Sequence, residues 1–326
     1  MIRIHKSKDY NWIFNTKTGL FNRWGESIKD DPQFSPIGPE ILDIEISTVC
    51  HQGCKFCYKK NVSIGKNMSL ETFKIILDKV KKNLGQVAFG IGDLNANPDL
   101  LSMMWYCKTN NIIPNITING YGLNDQSACQ LAEICGAVSI SNYDKDVCYN
   151  AVKLLTDYGL KQCNIHQLLC EESYIQCLSL LEDIQKDNRL KNLNATVFLS
   201  LKQRGRGINY HPLLKYHFNF LVGNLLNNKI RFGFDSCTAN KFLLYLGKHK
   251  EYKDLEQYIE PCESNLFSGY TNVDGKYFSC SFSEDGDGLD VVNCKDFITD
   301  IWNHPSTIEW RNRLLDCNRN CPIYKI

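Results

Sequence analysis

From residue 41 to residue 199 the chain alternates short apolar runs with amphipathic segments, and this alternation limits its possible folds more than any other feature. Six runs, at 41–46, 86–89, 115–118, 137–140, 163–168 and 195–199, read as strands. The segments between them carry a helical period. After Ser69, for example, apolar residues fall at Leu70, Phe73, Ile76, Leu77, Val80 and Leu84, and helices are predicted around 100–109, 126–135, 145–158 and 173–186. Strands joined through helices pair in parallel. Six such repeats predict an α/β chain whose sheet curls into a partial (β/α)6 TIM barrel. In a barrel of this kind, function sits on the loops at the C-terminal ends of the strands.

The loop after the first strand is where chemistry is written most clearly. It reads Ser47-Thr48-Val49-Cys50-His51-Gln52-Gly53-Cys54-Lys55-Phe56-Cys57-Tyr58, three cysteines spaced C-x3-C-x2-C. Thiolates are soft ligands that suit iron–sulfur clusters, zinc or Cu(I). Three on one loop can hold three corners of a cubane cluster and leave the fourth iron open to a ligand. The polar interval from His51 to Lys55 reads as a loop, which argues against buried thiols packing as small hydrophobes. Zinc is the other reading, although zinc motifs usually open with C-x2-C pairs.

Composition narrows the setting. With 37 basic against 36 acidic residues, bulk charge gives no sign of a nucleic-acid binder. The N-terminus lacks the apolar core of a signal peptide, and no apolar run approaches membrane-spanning length, so no membrane partner and a cytoplasmic location are expected. Disulfides are rare in that compartment, so 16 cysteines in 326 residues point to metal or catalytic use for some of them.

With Phe56 just before its last cysteine, the loop resembles the cluster loop of the radical S-adenosylmethionine (SAM) enzymes, which have a six-repeat partial barrel. The resemblance implies that Cys50, Cys54 and Cys57 ligate a [4Fe–4S] cluster that binds SAM and reduces it to a 5′-deoxyadenosyl radical. It places Phe56 near the adenine and Tyr58 beside the cofactor. The Gly-Gly-Glu-Pro segment of the family, which meets the amino group of SAM, is matched in part by Gly90-Ile91-Gly92-Asp93-Leu94. Glycine lets backbone approach a ligand and a carboxylate can accept from an ammonium, so Gly90, Gly92 and Asp93 are expected at the cofactor. Thr117-Ile118-Asn119-Gly120 and Ser139-Ile140-Ser141-Asn142 resemble the ends of the third and fourth strands of the family, which adds Asn119 and Ser141.

Beyond the sixth strand, Lys202-Gln203-Arg204-Gly205-Arg206-Gly207 is a basic turn, followed by a predicted helix at 213–227 and a strand at 230–234. Cys262-x12-Gly275-x4-Cys280 and Cys317-x3-Cys321 resemble the opening and closing parts of the SPASM and Twitch auxiliary-cluster domains. Between the first pair, 270–278 carries an Asp274-Gly275 turn flanked by alternating runs, which predicts a hairpin. The middle C-x2-C-x5-C block of a full SPASM domain is absent, so one auxiliary iron–sulfur cluster is expected, on a small C-terminal hairpin-plus-helix domain. Five cysteines compete for it. The resemblance favours Cys237, Cys262, Cys280 and Cys321 and leaves Cys317 as the spare or as an alternative ligand. Cys294 is not expected to be a ligand, and the barrel cysteines are read as core filling.

The expected organisation is thus an N-terminal hairpin or lid at 1–40, the barrel at 41–235 and the auxiliary domain at 236–326. The resemblance implies hydrogen abstraction from a peptide or protein that is then oxidised or crosslinked, maturation of a ribosomally made peptide being favoured. The 40 residues before the barrel are short for a peptide-recognition domain. Ser281 stands where sulfatase-maturing relatives carry an aspartate base, which disfavours that activity. Acid–base candidates are Asp235, Tyr58 and His166, and a flavodoxin or ferredoxin is the expected electron donor. The alternatives are a radical SAM dehydrogenase of a small molecule and a non-catalytic iron–sulfur or zinc protein.

Overall fold

The computed structural model describes residues 2–27 and 29–324. An antiparallel meander opens the chain, formed by β1 (Ile2–His5), β2 (Asn11–Asn15) and β3 (Phe21–Trp24). Trp12 Nε1 donates to Asn83 Oδ1 at 3.0 Å, and Arg3 donates to the carbonyl oxygens of Leu84 and Asn111. These partners all lie just before barrel strands. The meander therefore packs against the base of the barrel, at the pole opposite the three-cysteine loop.

The barrel sheet begins with β4 (Ile41–Glu45), α1 (Leu70–Val80), β5 (Gln86–Gly90), α2 (Leu100–Thr109) and β6 (Ile113–Ile118). It continues through α3 (Asp125–Ile134), β7 (Ala137–Ser141), α4 (Lys145–Asp157), β8 (Cys163–Leu169), α5 (Tyr174–Lys186) and β9 (Ala195–Ser200). Then α6 (Lys215–Asn227) leads to β10 (Phe232–Phe234). Strands β4 to β10 pair in parallel and in chain order, so β10 adds a seventh strand to the expected six. Local chemistry agrees with this reading. Ser69 caps α1, its side chain accepting from the Thr72 N–H, and Phe73, Ile76, Leu77 and Val80 form the buried stripe.

Side chains alternate across the strands. Leu42 and Ile44 of β4, Val87 and Phe89 of β5, and Ile116 and Ile118 of β6 pack on the helices in one core. The intervening positions, among them Asp43, Glu45, Thr117, Ser139, Ser141 and His166, face the lumen. Cys107, Cys135, Cys148, Cys163, Cys170 and Cys177 are buried core thiols, whereas Cys129 on α3 is exposed, contrary to its core-filling expectation. The polar face of α3 is turned to solvent at that position.

After α7 (Ala239–Leu246), strand β11 (Ser268–Thr271) turns through Gly275, at φ +74°, into β12 (Lys276–Phe278), and β13 (Leu289–Asp290) pairs with β12. β11 also pairs in parallel with β4, Ser268 opposite Ile41 through Thr271 opposite Ile44. The C-terminal hairpin thus extends the barrel sheet at its first strand. The chain closes with α8 (Pro305–Asp316). Just before α8, the buried Trp302 donates Nε1–H to the Ser35 carbonyl at 2.7 Å. Among the described residues no helix is long and apolar enough to cross a membrane.

Candidate active site

The three-cysteine loop leaves β4 at the lumen mouth and folds back on itself. Thr48 N–H donates to the Lys66 carbonyl at 3.0 Å and Cys50 N–H to the Val62 carbonyl at 2.9 Å. Burial raises the Cys54 thiol, and the neighbouring Cys50 and Cys57 raise it further. Cys50 is raised by burial and then by Asp93 and Cys57. The three thiols therefore lie within electrostatic reach of one another. Among the described residues no three His, Cys, Asp or Glu side chains close on one point as the ligands of a single ion would. A cluster asks instead for one thiolate to each of three irons, and a half-buried all-thiol set suits it.

Two glycine-dependent contacts hold this loop. A Cβ on Gly92 would stand 2.4 Å from the Val49 carbonyl oxygen and 2.6 Å from Cys50 Cβ, so only glycine lets the β5 loop lie against the thiol loop. On the other side, Gly205, at φ +65°, abuts the Tyr58 and Cys57 carbonyls. Between Gly205 and Gly207, Arg206 donates from Nε to the Cys54 carbonyl at 2.8 Å and from its other nitrogen to that of Asn61 at 3.1 Å. Arg204 reaches the opposite way, to the carbonyls of Phe282 at 2.6 Å and Glu284 at 2.9 Å. The basic turn after β9 is therefore a clasp between the thiol loop and the C-terminal hairpin.

Asp93 accepts from the His51 backbone N–H at 2.7 Å and from Asn119 Nδ2 at 3.1 Å, and lies 3.7 Å from Cys50 Sγ. Burial would raise its carboxyl, but the hydrogen bonds from His51, Asn119 and Gln52 outweigh it and hold the group below the usual carboxylate range. Phe56 packs against Tyr143 and Tyr210, with ring centroids 5.0 and 6.0 Å away. Tyr143 N–H donates to the Ser141 carbonyl at 2.9 Å, and its phenol, reached by solvent yet surrounded by protein within electrostatic reach of all three thiols, is pushed up to about 12. Gly90 stands apart from the thiols, against the Glu45 backbone.

In the lumen, His166 Nδ1 lies 3.5 Å from Thr117 Oγ1. Burial lowers this imidazole to about 4 against the pull of Asp235, so it is neutral at pH 7. Asp43 is reached by solvent yet enclosed by protein, and that enclosure raises its carboxyl to about 7. Tyr58 packs tilted against Phe282, ring centroids 4.4 Å apart, joining the thiol loop to the hairpin. Asp235 is fully engaged: it pairs with Lys202 Nζ at 2.5 Å and accepts from the Thr238 N–H at 3.0 Å and from the Thr238 hydroxyl. A buried cluster completes the wall. Lys59 pairs with Glu45 at 3.0 Å and with Glu284, and donates to Tyr270 Oη at 2.7 Å.

The C-terminal cysteines fall into one group of four and two outliers. Burial raises Cys237, with Cys262 and Cys321 adding to it; Cys262 is pushed up to about 12 by burial and then by Cys280 and Cys321; Cys280 is raised by burial and by Cys321. Cys262 and Cys321 are thus within electrostatic reach of each other and of both Cys237 and Cys280. Cys317 instead donates to the backbone carbonyls of Leu314 and Asn320, at 3.3 and 2.9 Å. Cys294 lies elsewhere, against Lys79 and the Val291 carbonyl.

Solved structures share this arrangement of strands. Streptococcus suis SuiB matches with a TM-score of 0.68 at 13% identity, over 95% of this chain and 89% of that chain. The chain shares the partial-barrel fold of SuiB. SuiB bound to precursor peptide SuiA gives 0.70 at 13% identity over the same shares. anSMEcpe with bound AdoMet and Cp18Cys peptide gives 0.62 at 16% identity, over 83% and 82% of the two chains. No protein-family model matches the chain, and no curated protein does.

Within this shared fold, the structure gathers Cys50, Cys54, Cys57, Phe56, Gly92, Asp93 and Asn119 at one mouth, with Ser141 tied in through Tyr143. Sequence reasoning missed Tyr143, Lys59, Lys202 and Asp43. Tyr143 carried a usable signal, an aromatic two residues beyond the end of β7. Asp43 carried another, a lone carboxylate between the apolar residues of a strand.

Proposed function

We propose that this chain is a radical SAM enzyme that abstracts hydrogen from a peptide or protein, which is then oxidised or crosslinked. The observation that carries the reading is the convergence of three facing thiols with Asp93 and Asn119 at the mouth of this fold. SuiB bound to its precursor peptide and anSMEcpe bound to AdoMet and a peptide support the cofactor and the substrate class. When bound, a [4Fe–4S] cluster and SAM supply a 5′-deoxyadenosyl radical that takes the hydrogen atom.

The chain's own residues have separable tasks. Cys50, Cys54 and Cys57 hold the cluster, and Gly92 brings the β5 loop against them. Asp93 stays ionised and accepts from the ammonium of SAM, while Asn119 and Ser141 orient the rest of the cofactor. Phe56 and Tyr143 give an aromatic wall to the adenine side. His166, neutral, and Asp43, raised to about 7, can take up the proton released as the substrate is oxidised. Tyr58 works as a joint between the two cysteine regions, and Asp235 as the partner of Lys202. Cys237, Cys262, Cys280 and Cys321 would hold an auxiliary cluster, which would supply a one-electron acceptor beside the barrel. The working division is base at 1–40, barrel at 41–235 and auxiliary region at 236–326, with a flavodoxin or ferredoxin as donor in the cytoplasm.

Anaerobic reconstitution tests this. Wild type should hold about eight irons per chain and form 5′-deoxyadenosine when reduced with SAM; Cys54→Ala should form none. Cys321→Ser should drop to about four irons and Cys317→Ser should not. Reduced, reconstituted wild type that leaves SAM intact would refute the enzyme.

A further inference from the structure

Lys202 is only 5% exposed, an unusual position for a lysine at the end of a barrel strand. Its Nζ lies 2.5 Å from Asp235 Oδ2, is within electrostatic reach of the Cys237 thiol and sits 4.8 Å from the centroid of the Phe282 ring. Cys237 follows Asp235 by two residues, and Phe282 follows Cys280 by two. One buried ammonium therefore touches both turns that deliver thiols to the four-cysteine group. Burying a charge is costly, and Asp235 offsets it. Asp235 cannot swing away, because Thr238 and the Ser200 N–H also bind its carboxylate.

We propose that Lys202 and Asp235 set the reduction potential of the iron–sulfur cluster that Cys237, Cys262, Cys280 and Cys321 hold. Reduction adds one negative charge to that cluster. The ammonium, close to a ligand cysteine, stabilises the reduced form and raises the potential, and the neighbouring carboxylate lowers it. In the reaction the electron comes from the substrate-centred radical left by hydrogen abstraction. This inference rests on the auxiliary cluster of the proposed function, but it needs neither SAM nor substrate.

The test is an anaerobic redox titration with dithionite, followed by electron paramagnetic resonance, in a Cys50→Ala/Cys54→Ala/Cys57→Ala background. Only the auxiliary cluster contributes there, and iron analysis should give about four irons per chain. Lys202→Met should shift the midpoint to more negative potential and Asp235→Asn to more positive. The double variant should return close to the starting value, and Lys202→Arg should stay close to it. Shifts of the same sign in both single variants, or none in either with iron retained, overturn the proposal. Should Lys202→Met fail to hold iron, Asp235→Asn decides alone, since it keeps the ammonium: a positive shift supports the tuning role and its absence overturns it. A background protein that binds no iron refutes the auxiliary cluster itself, and this inference with it.

Discussion

Arg206 donates from Nε to the carbonyl oxygen of Cys54 at 2.8 Å, across 152 positions of sequence. The bond fixes the middle of the thiol loop from a turn that belongs to the far side of the barrel. Arg206→Ala should lower stability by about 2–3 kcal/mol, the scale of a hydrogen bond made by a charged group. It should also reduce iron bound at Cys50, Cys54 and Cys57 while sparing the C-terminal four. Urea unfolding and iron analysis in a Cys280→Ser background check both parts. Unchanged iron with a normal midpoint would remove the clasp as a functional element.

Gly92→Ala tests the opposite wall. The added methyl must displace the Val49 carbonyl or Cys50, so the β5 loop and the thiol loop move apart. Misplacement on the order of 1 Å near the chemistry should cost about a hundredfold in 5′-deoxyadenosine formation. The C-terminal cysteines do not touch this loop, so their iron should be retained.

Lys59 keeps Glu45 and Glu284 together in a largely buried cluster with Tyr270. Lys59→Met leaves two carboxylates facing each other without a cation, and loss of about 3–5 kcal/mol is expected. A double variant that also carries Glu284→Gln should recover part of that loss. Denaturant titration of the metal-free protein reads both, and equal stability of all three chains would contradict the cluster's structural role.

His166 sets a pH signature. Its folded value is about 4 against an ordinary 6.5, so between these limits the unfolded chain binds a proton that the native chain does not. Stability should therefore rise with pH across that window, be fully present above it and be lost as pH falls toward about 4. His166→Gln should flatten the slope there. Parallel curves for the two proteins would show that the imidazole is not held neutral.

The barrel was legible because its signals are local. Six apolar runs and the helical stripes between them can be read within short windows, and the helix from Leu100 to Thr109 was placed at its observed limits. The thiol loop was legible for the same reason, since three cysteines fall within eight residues. What stayed hidden is long-range. Nothing near Lys59 announces Glu284, and nothing near Lys202 announces Asp235 or Phe282, because those partners meet only once the barrel has curled. Arg206 stood in a turn already noted as basic, but its target was invisible. The pairing of β11 with β4 left no trace in either strand, since a short apolar run reads the same at an edge as beside a distant partner.

That last pairing has a consequence for how the protein is made. Translation delivers Ile41–Glu45 well before the strand that covers its outer side, Ser268–Thr271. Until then β4 presents a row of unpaired backbone groups, the kind of edge that recruits strands from other chains. The nascent barrel cannot complete its sheet as an autonomous early unit, and the ladder on the outer side of β4 must wait for Ser268–Thr271 to clear the ribosome. Ribosome-bound intermediates thus have to be kept apart, and expression at low temperature or with added chaperones should raise the yield of the folded chain.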